Sequence, residues 1–290
     1  MKAKCLTITY LTKASYASLN GSDKEADNIS SIKKIQMPDG KEYPYKSSQA
    51  IRRDLREQLA VMGEKLSEAE AAKISKGAAT TQCKPREFID DDLFGFMDAG
   101  TETIKRTSPV RVSPLVALDH YRGELDFATN YMGVKAGGTP NIFESEIHSG
   151  FYRGTILIEL DRVGVSDSST YELDLDNAEK KRRVSVLLDA FQNLWGVGRQ
   201  SRFLADISPK FVCAALMKVK NPIFLECVTV NDEGIVNIPL IDATIKDFSS
   251  VIESFVLGER KGFFPKDLEE ALPIGEAFAQ MKSWLDDLYA

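Results

Sequence analysis

A chain of 290 residues, 43% hydrophobic and 28% charged, is long enough to bury a sizeable core in one large domain or two small ones. It holds no apolar run near the ~20 residues a bilayer span requires, so no membrane partner is expected. A net charge of −6 argues on its face against nucleic acid, but the charges are segregated. Lys46 to Arg56 carries four basic residues against one acidic, whereas Glu253 to Ala290 carries eight acidic against four basic. A basic groove and an acidic face can coexist on such a chain.

The first segment, Lys4 to Leu11, places Leu6, Ile8 and Tyr10 at period two and reads as a strand, not a signal peptide. A polar stretch from Ser15 to Lys46 follows, with Asn20-Gly21 and Pro38-Asp39-Gly40 as turn signals. Ser47 or Ser48 can then cap a helix whose apolar stripe is Ile51, Leu55, Leu59 and Met62. Arg52, Arg53 and Arg56 lie on its other faces. Lys46, Ser47, Ser48 and Gln49 sit at its amino end, where open N–H groups suit a phosphate. An ordinary solvated helix face would look the same.

Asp90-Asp91-Asp92 precedes Phe94-Gly95-Phe96 and reads as a solvated acidic turn. Neighbouring residues on an extended chain diverge, so three in a row rarely share one ion. The span Gly100 to Gly150 is rich in Thr, Ser, Gly and Pro, with apolar residues too sparse for a core helix. It contains both histidines, His120 and His148, read here as surface loop residues. It also contains Arg106-Thr107-Ser108-Pro109-Val110-Arg111, an extended basic ribbon.

Gly154 to Leu160 is a buried strand. Asp176 opens a second helix burying Val184, Leu187, Leu188, Phe191 and Trp195, and Phe211 to Val219 is a further strand. Between them, Gly196-Val197-Gly198-Arg199-Gln200-Ser201-Arg202 would let a backbone approach a phosphate, though a helix cap and loop explain the glycines equally. An amphipathic helix is expected over Glu276 to Tyr289. The order suits an α+β chain with a βαββαβ, ferredoxin-like core bearing large insertions. The four scattered cysteines fit buried thiols in a reducing cytoplasm. No zinc spacing, phosphate loop or nucleophile elbow is present, so no metal, no cofactor and no catalytic residue is expected.

Taken in order, these segments resemble the DevR-type backbone subunit of type I CRISPR interference complexes, the I-B subtype in particular. The match runs through Lys46 to Arg56, Asp92 to Met97, Arg106 to Leu115, Tyr152-Arg153-Gly154, Leu160 to Gly164, and Gly196 to Lys210. The resemblance implies a single domain over 1–290 built on a modified RNA-recognition-motif core. It also implies a finger-like insertion at about 14–46 and a thumb at about 100–150. It implies a non-catalytic subunit that polymerises along a guide RNA, with partners in other copies of itself, other Cascade subunits, and target DNA through the RNA–DNA hybrid. RNA contacts are then expected at Asn20, Lys46, Ser47, Ser48, Gln49, Arg52, Arg53, Arg106, Arg111, Arg199, Gln200 and Arg202. Two alternatives stay open: guide-dependent RNA cleavage by a loop aspartate (Asp90 to Asp92, or Asp98), and autoregulation of the chain's own operon.

Overall fold

The structure, a computed structural model, describes residues 3–21, 28–67, 73–75, 78–99, 102–196 and 200–290. Its centre is β1 (Cys5–Ala17), a strand buried on both faces along its first half. Leu6, Ile8 and Tyr10 enter one apolar cluster and Cys5 and Leu11 a second, on opposite sides of the sheet. The period-two pattern is therefore a division between two cores.

The main sheet comprises β1, β2 (Lys34–Gln36), β3 (Glu42–Lys46), β4 (Val110–Val112), β5 (Leu115–Ala117), β6 (His148–Glu159), β7 (Phe211–Met217), β8 (Ile252–Glu259) and β9 (Leu272–Pro273). Its order is β9-β8-β7-β1-β6-β5-β3-β2, with β4 also paired to β6. β1 runs antiparallel to β6, from Cys5 opposite Glu159 to Ala14 opposite Gly150, and antiparallel to β7 on its other side.

The helices are α1 (Ser48–Val61), α2 (Ile89–Phe94), α3 (Asn177–Gln192), α4 (Gln200–Phe203), α5 (Ile238–Asp247) and α6 (Ile274–Leu288). α1 starts where the Ser47 Oγ accepts the Ala50 N–H at 3.3 Å, and α3 where the Asp176 carboxylate accepts the Glu179 N–H at 2.8 Å. Ile51, Leu55 and Leu59 of α1 join Val184, Leu187 and Leu188 of α3 over one sheet face. Phe191 meets the rings of Tyr10 at 4.8 Å and Phe278 at 5.7 Å, tying β1, α3 and α6 together. The segment after residue 220 is part of this body. β8 extends the sheet, α6 closes the first core, and Phe224, Val228, Ile241 and Phe264 form much of the second.

Several expectations are corrected. Asp90, Asp91 and Asp92 are no solvated turn: they form the first turn of α2 and are fully buried. The side chain of Asp90 accepts the Ser67 N–H and that of Asp91 accepts the Lys84 N–H. Asp92 is held between the guanidinium groups of Arg106 and Arg183 and accepts the Gly164 N–H. Trp195 does not join the α3 stripe. The helix ends at Gln192, the chain leaves its register, Leu194 is buried instead, and Trp195 is 51% exposed. The 100–150 excursion is narrower than its composition implies, because β4 and β5 lie within it and pair with β6. Its projecting part is a hairpin of Leu125–Asn130 with Asn141–Glu146, joined at its root by Ile29–Ser30.

Gly95 closes α2 at φ +70°, ψ 173°, and an added Cβ would lie 2.3 Å from the Arg106 carbonyl oxygen. Both backbone strain and collision oppose any side chain there. Gly95→Ala is expected to cost roughly 3 kcal/mol, read as a lower urea midpoint with unchanged slope. A loss below about 0.5 kcal/mol would contradict the geometry.

Candidate nucleic-acid interface

The amino end of α1 is built from three distant segments. The Asn20 Oδ1 accepts the Ser47 N–H at 2.8 Å, orienting the cap from 27 residues away. The Ser48 and Gln49 N–H groups, in the first turn, have no partner among the described residues, as helix geometry dictates. The Ser48 hydroxyl donates to the Gln49 Oε1 at 3.0 Å at the exposed edge. The third segment is the strip around Gly196. A Cβ at Gly196 would stand 3.2 Å from the Lys46 Nζ and 3.3 Å from the Gln200 Nε2. The Gly196 backbone therefore lies against the Lys46 and Gln200 side chains, and a side chain at this position would have to displace their ends by a few tenths of an ångström.

Lys46 lies beneath this junction. Its side chain is 4% exposed and its Nζ is 2.8 Å from the Asp54 carboxylate, itself buried. Lys46 is therefore an internal post for the α1 start, which corrects its expected place as an RNA contact. Arg106 is corrected likewise. Its fully buried guanidinium donates to the Asp92, Val165 and Arg162 carbonyls, the Asp92 carboxylate and the Tyr171 hydroxyl, which occupies all five N–H bonds. Arg52 is half-buried and donates to the Phe94 and Val110 carbonyls at 3.3 and 3.2 Å. Burial, aided by nearby Arg56 and Arg111, lowers its pKa from the ordinary value.

Arg53 is 52% exposed and pairs with Glu57 one turn on, so it presents its charge at the surface of α1. Gln200 donates to the Ala205 carbonyl at 3.2 Å, and its Oε1 is buried without a hydrogen-bond partner among the described residues. Arg202 reaches the projecting hairpin: it donates to the Ser145 hydroxyl at 3.0 Å, pairs with Asp126, and lies over the Phe143 and Phe203 rings. Arg199 lies outside the described residues. Arg111 belongs elsewhere, on the sheet face opposite α1, beside Leu157.

The structure thus brings together Asn20, Ser47, Ser48, Gln49 and Gln200, and sets Arg202 at the root of the hairpin. Beyond that root, Phe127, Tyr131 and Met132 are 61%, 65% and 82% exposed, so this chain covers little of its own hairpin's apolar surface.

His148 departs from the surface-loop reading, whereas His120 lies in irregular chain and is partly exposed. His148 is buried, with its Nδ1 2.8 Å from the Tyr152 hydroxyl. Burial pushes the His148 pKa down and the Tyr152 pKa well up. His120 shares a small polar pocket with His148, lined also by Asp119, Arg122 and Glu124. No group of metal-ligating side chains fit to hold an ion occurs among the described residues. No described helix is long and apolar enough to cross a membrane. All four cysteines are free, with Cys5, Cys213 and Cys227 buried.

Comparison with known proteins places this geometry. One solved chain, from a CRISPR RNA-guided surveillance complex in a pre-nicking state, covers 98% of this chain and 99% of its own length. It superposes with a TM-score of 0.66 at 13% identity. A second, from a CRISPR RNA-guided surveillance complex, covers 97% and 99% with a TM-score of 0.62 at 17% identity. At such identities the likeness is one of fold. No curated protein matches the chain. The family described as CRISPR-associated negative auto-regulator DevR/Csa2 matches residues 8–233, well over half the sequence. The ordered motifs and the fold agree with that match, and the chain belongs to the DevR/Csa2 family of CRISPR-associated proteins.

Proposed function

We propose that this chain is a non-catalytic subunit of a type I, subtype I-B, RNA-guided complex, and that it polymerises along the guide RNA in the cytoplasm. Its core is read as a modified RNA-recognition fold. β7-β1-β6-β5 gives the strand order four-one-three-two of a βαββαβ unit, all antiparallel, and α1 and α3 lie on one face. The observation that carries the proposal is the open amino end of α1, with the Gly196 backbone against the Lys46 side chain that braces this helix, and a hairpin with an exposed apolar tip. A helix start offers N–H groups and partial positive charge to phosphates without reading bases. Such a grip accepts any guide sequence and leaves base edges to pair with target DNA. The exposed hairpin is the element assigned to contact a neighbouring copy.

Two features oppose the alternatives. Asp90 to Asp92 are buried and engaged by backbone N–H groups and arginines, which weighs against these three as a cleavage site and leaves the half-buried Asp98 as the candidate for that alternative. Arg52 and Arg56 of α1 are turned inward, on carbonyls and on the Phe94 ring with Asp90, so two of the helix's three arginines are not offered to a DNA groove. That weighs against an operator-binding role for an auto-regulator.

The hairpin gives the direct test. Asn130 faces Asn141 in register, so residues 131–140 can be replaced by a two-residue Asn-Gly turn without disturbing the root. The shortened protein is expected to melt normally and retain RNA, but to lose the regular spacing of ribonuclease-protected segments. Unchanged spacing would move the inter-copy contact to another surface.

A further inference from the structure

The sheet face opposite α1 and α3 is only partly covered by the segment after β7, and a cleft of 430 Å³ remains on it. This volume lies within the range of small-ligand sites. One wall is β4, with Arg111 and Val112, continued by Ser113; the floor is β6, with Thr155, Leu157 and Glu159; Lys220, Pro222 and Leu225 close the far side. Four of these residues are apolar, and the charged ones cluster at one end.

That end has a defined construction. The Glu159 side chain is 4% exposed and draws in three cations: Arg111 through its Nε, Lys220 at 2.8 Å, and Arg162 at 3.4 Å. Burial works to raise the Glu159 pKa, but Lys220 and Arg111 outweigh it and hold the carboxyl below its ordinary value. Lys220 is shared with Asp161 at 2.7 Å and Arg162 also pairs with Asp167, so three cations face three carboxylates. Arg111 is 56% exposed and contacts Glu159 through Nε alone. Its two terminal nitrogens have no partner among the described residues and stand at the cleft. An arginine fixed at Nε with its outer nitrogens available matches two phosphate oxygens at once.

From this juxtaposition we propose that the cleft is a mononucleotide site. The phosphate is gripped by Arg111 with Lys220 beside it, and the base lies against Leu157, Pro222 and Leu225. The site is independent of the guide-RNA groove, since it lies on the other face of the sheet and uses none of the α1 residues. A flat apolar ring joined to a compact anion is the chemistry that fills both ends of the cleft. Inorganic phosphate fills only one of them.

The test is calorimetric titration of the full chain with 5′-adenosine monophosphate, 5′-uridine monophosphate and inorganic phosphate. Both nucleotides are expected to saturate one site, with inorganic phosphate at least about tenfold weaker. Arg111→Ala should weaken nucleotide binding about ten- to a hundredfold, as loss of charge-assisted hydrogen bonds does. Leu225→Trp should weaken it similarly by filling the apolar end, and thermal melts of both variants report on folding. No saturation at millimolar nucleotide, equal affinity for phosphate alone, or indifference to both substitutions would overturn the proposal. So would displacement of bound nucleotide by an acidic peptide that binds more tightly, because the cleft would then be a protein-docking site. None of these outcomes bears on the guide groove.

Discussion

Asp92→Ala is expected to lower unfolding stability by about 3–5 kcal/mol, a large fraction of what a domain possesses. Asp92 is fully buried between Arg106 and Arg183, whose side chains are 0% and 3% exposed. Removing the carboxylate takes away the counter-charge the two buried cations share. Among the described residues it leaves Arg183 only Glu179 at 2.8 Å and Arg106 only Asp167 at 3.8 Å as ion-pair partners, so much of their desolvation is no longer offset. The same carboxylate accepts the Gly164 N–H, so α2, the turn after β6 and α3 all lose a common anchor. The effect reaches the candidate interface through Phe94 at the end of α2, whose carbonyl receives Arg52 of α1. Urea unfolding checks the magnitude. Asp92→Asn, which keeps an acceptor but not the charge, should fall between wild type and alanine. A loss under about 1 kcal/mol for alanine would mean that the arginines find other partners, contrary to their geometry.

The second large effect concerns RNA. Gln49→Glu combined with Arg53→Glu should reduce guide-RNA affinity roughly a hundredfold at moderate salt, with little change in melting temperature. Both positions are exposed on the first two turns of α1, and the Arg53 pair with Glu57 is a surface pair, worth at most about 1 kcal/mol. New carboxylates there repel phosphates directly. The slope of log affinity against log salt should also become shallower, by about 0.7 for each phosphate that the protein no longer neutralises. Arg52→Glu is not an equivalent probe. Its guanidinium bonds two carbonyls within the fold, so substitution would confuse loss of binding with loss of structure. Unaltered affinity in the double variant would remove the α1 start from the RNA path.

The parts of this fold with local causes were legible in the sequence. Ser47 and Asp176 are helix caps that act within three residues, and both mark real helix starts. The apolar strands β1, β6 and β7 announce themselves because burial on both faces demands continuous apolar sequence. Features with distant causes were not legible. Asp90-Asp91-Asp92 reads as solvent-facing because nothing nearby in sequence explains its burial. Its partners Arg106 and Arg183 lie 14 and 91 residues from Asp92. Arg183 itself is hidden in the run Lys180-Lys181-Arg182-Arg183, where one face turns inward only because α2 is there. β4 and β5 are three residues each in a Ser- and Pro-bearing stretch, and they exist through pairing with β6. The same limit applied to the site. Residue types marked the α1 start, but the Asn20 bond to Ser47 and the removal of Lys46 and Arg106 from the surface depend on tertiary structure.

The most direct measurement is the nucleic acid carried by the protein when it is expressed with a repeat–spacer RNA. The purified protein should show a high 260/280 absorbance ratio. Denaturing gels should resolve one discrete RNA, protected from ribonuclease in evenly spaced segments that reflect one copy after another along the guide. A protein-like ratio with no retained RNA would contradict the proposed function, leaving the family and the fold without the guide-binding role assigned to the α1 groove.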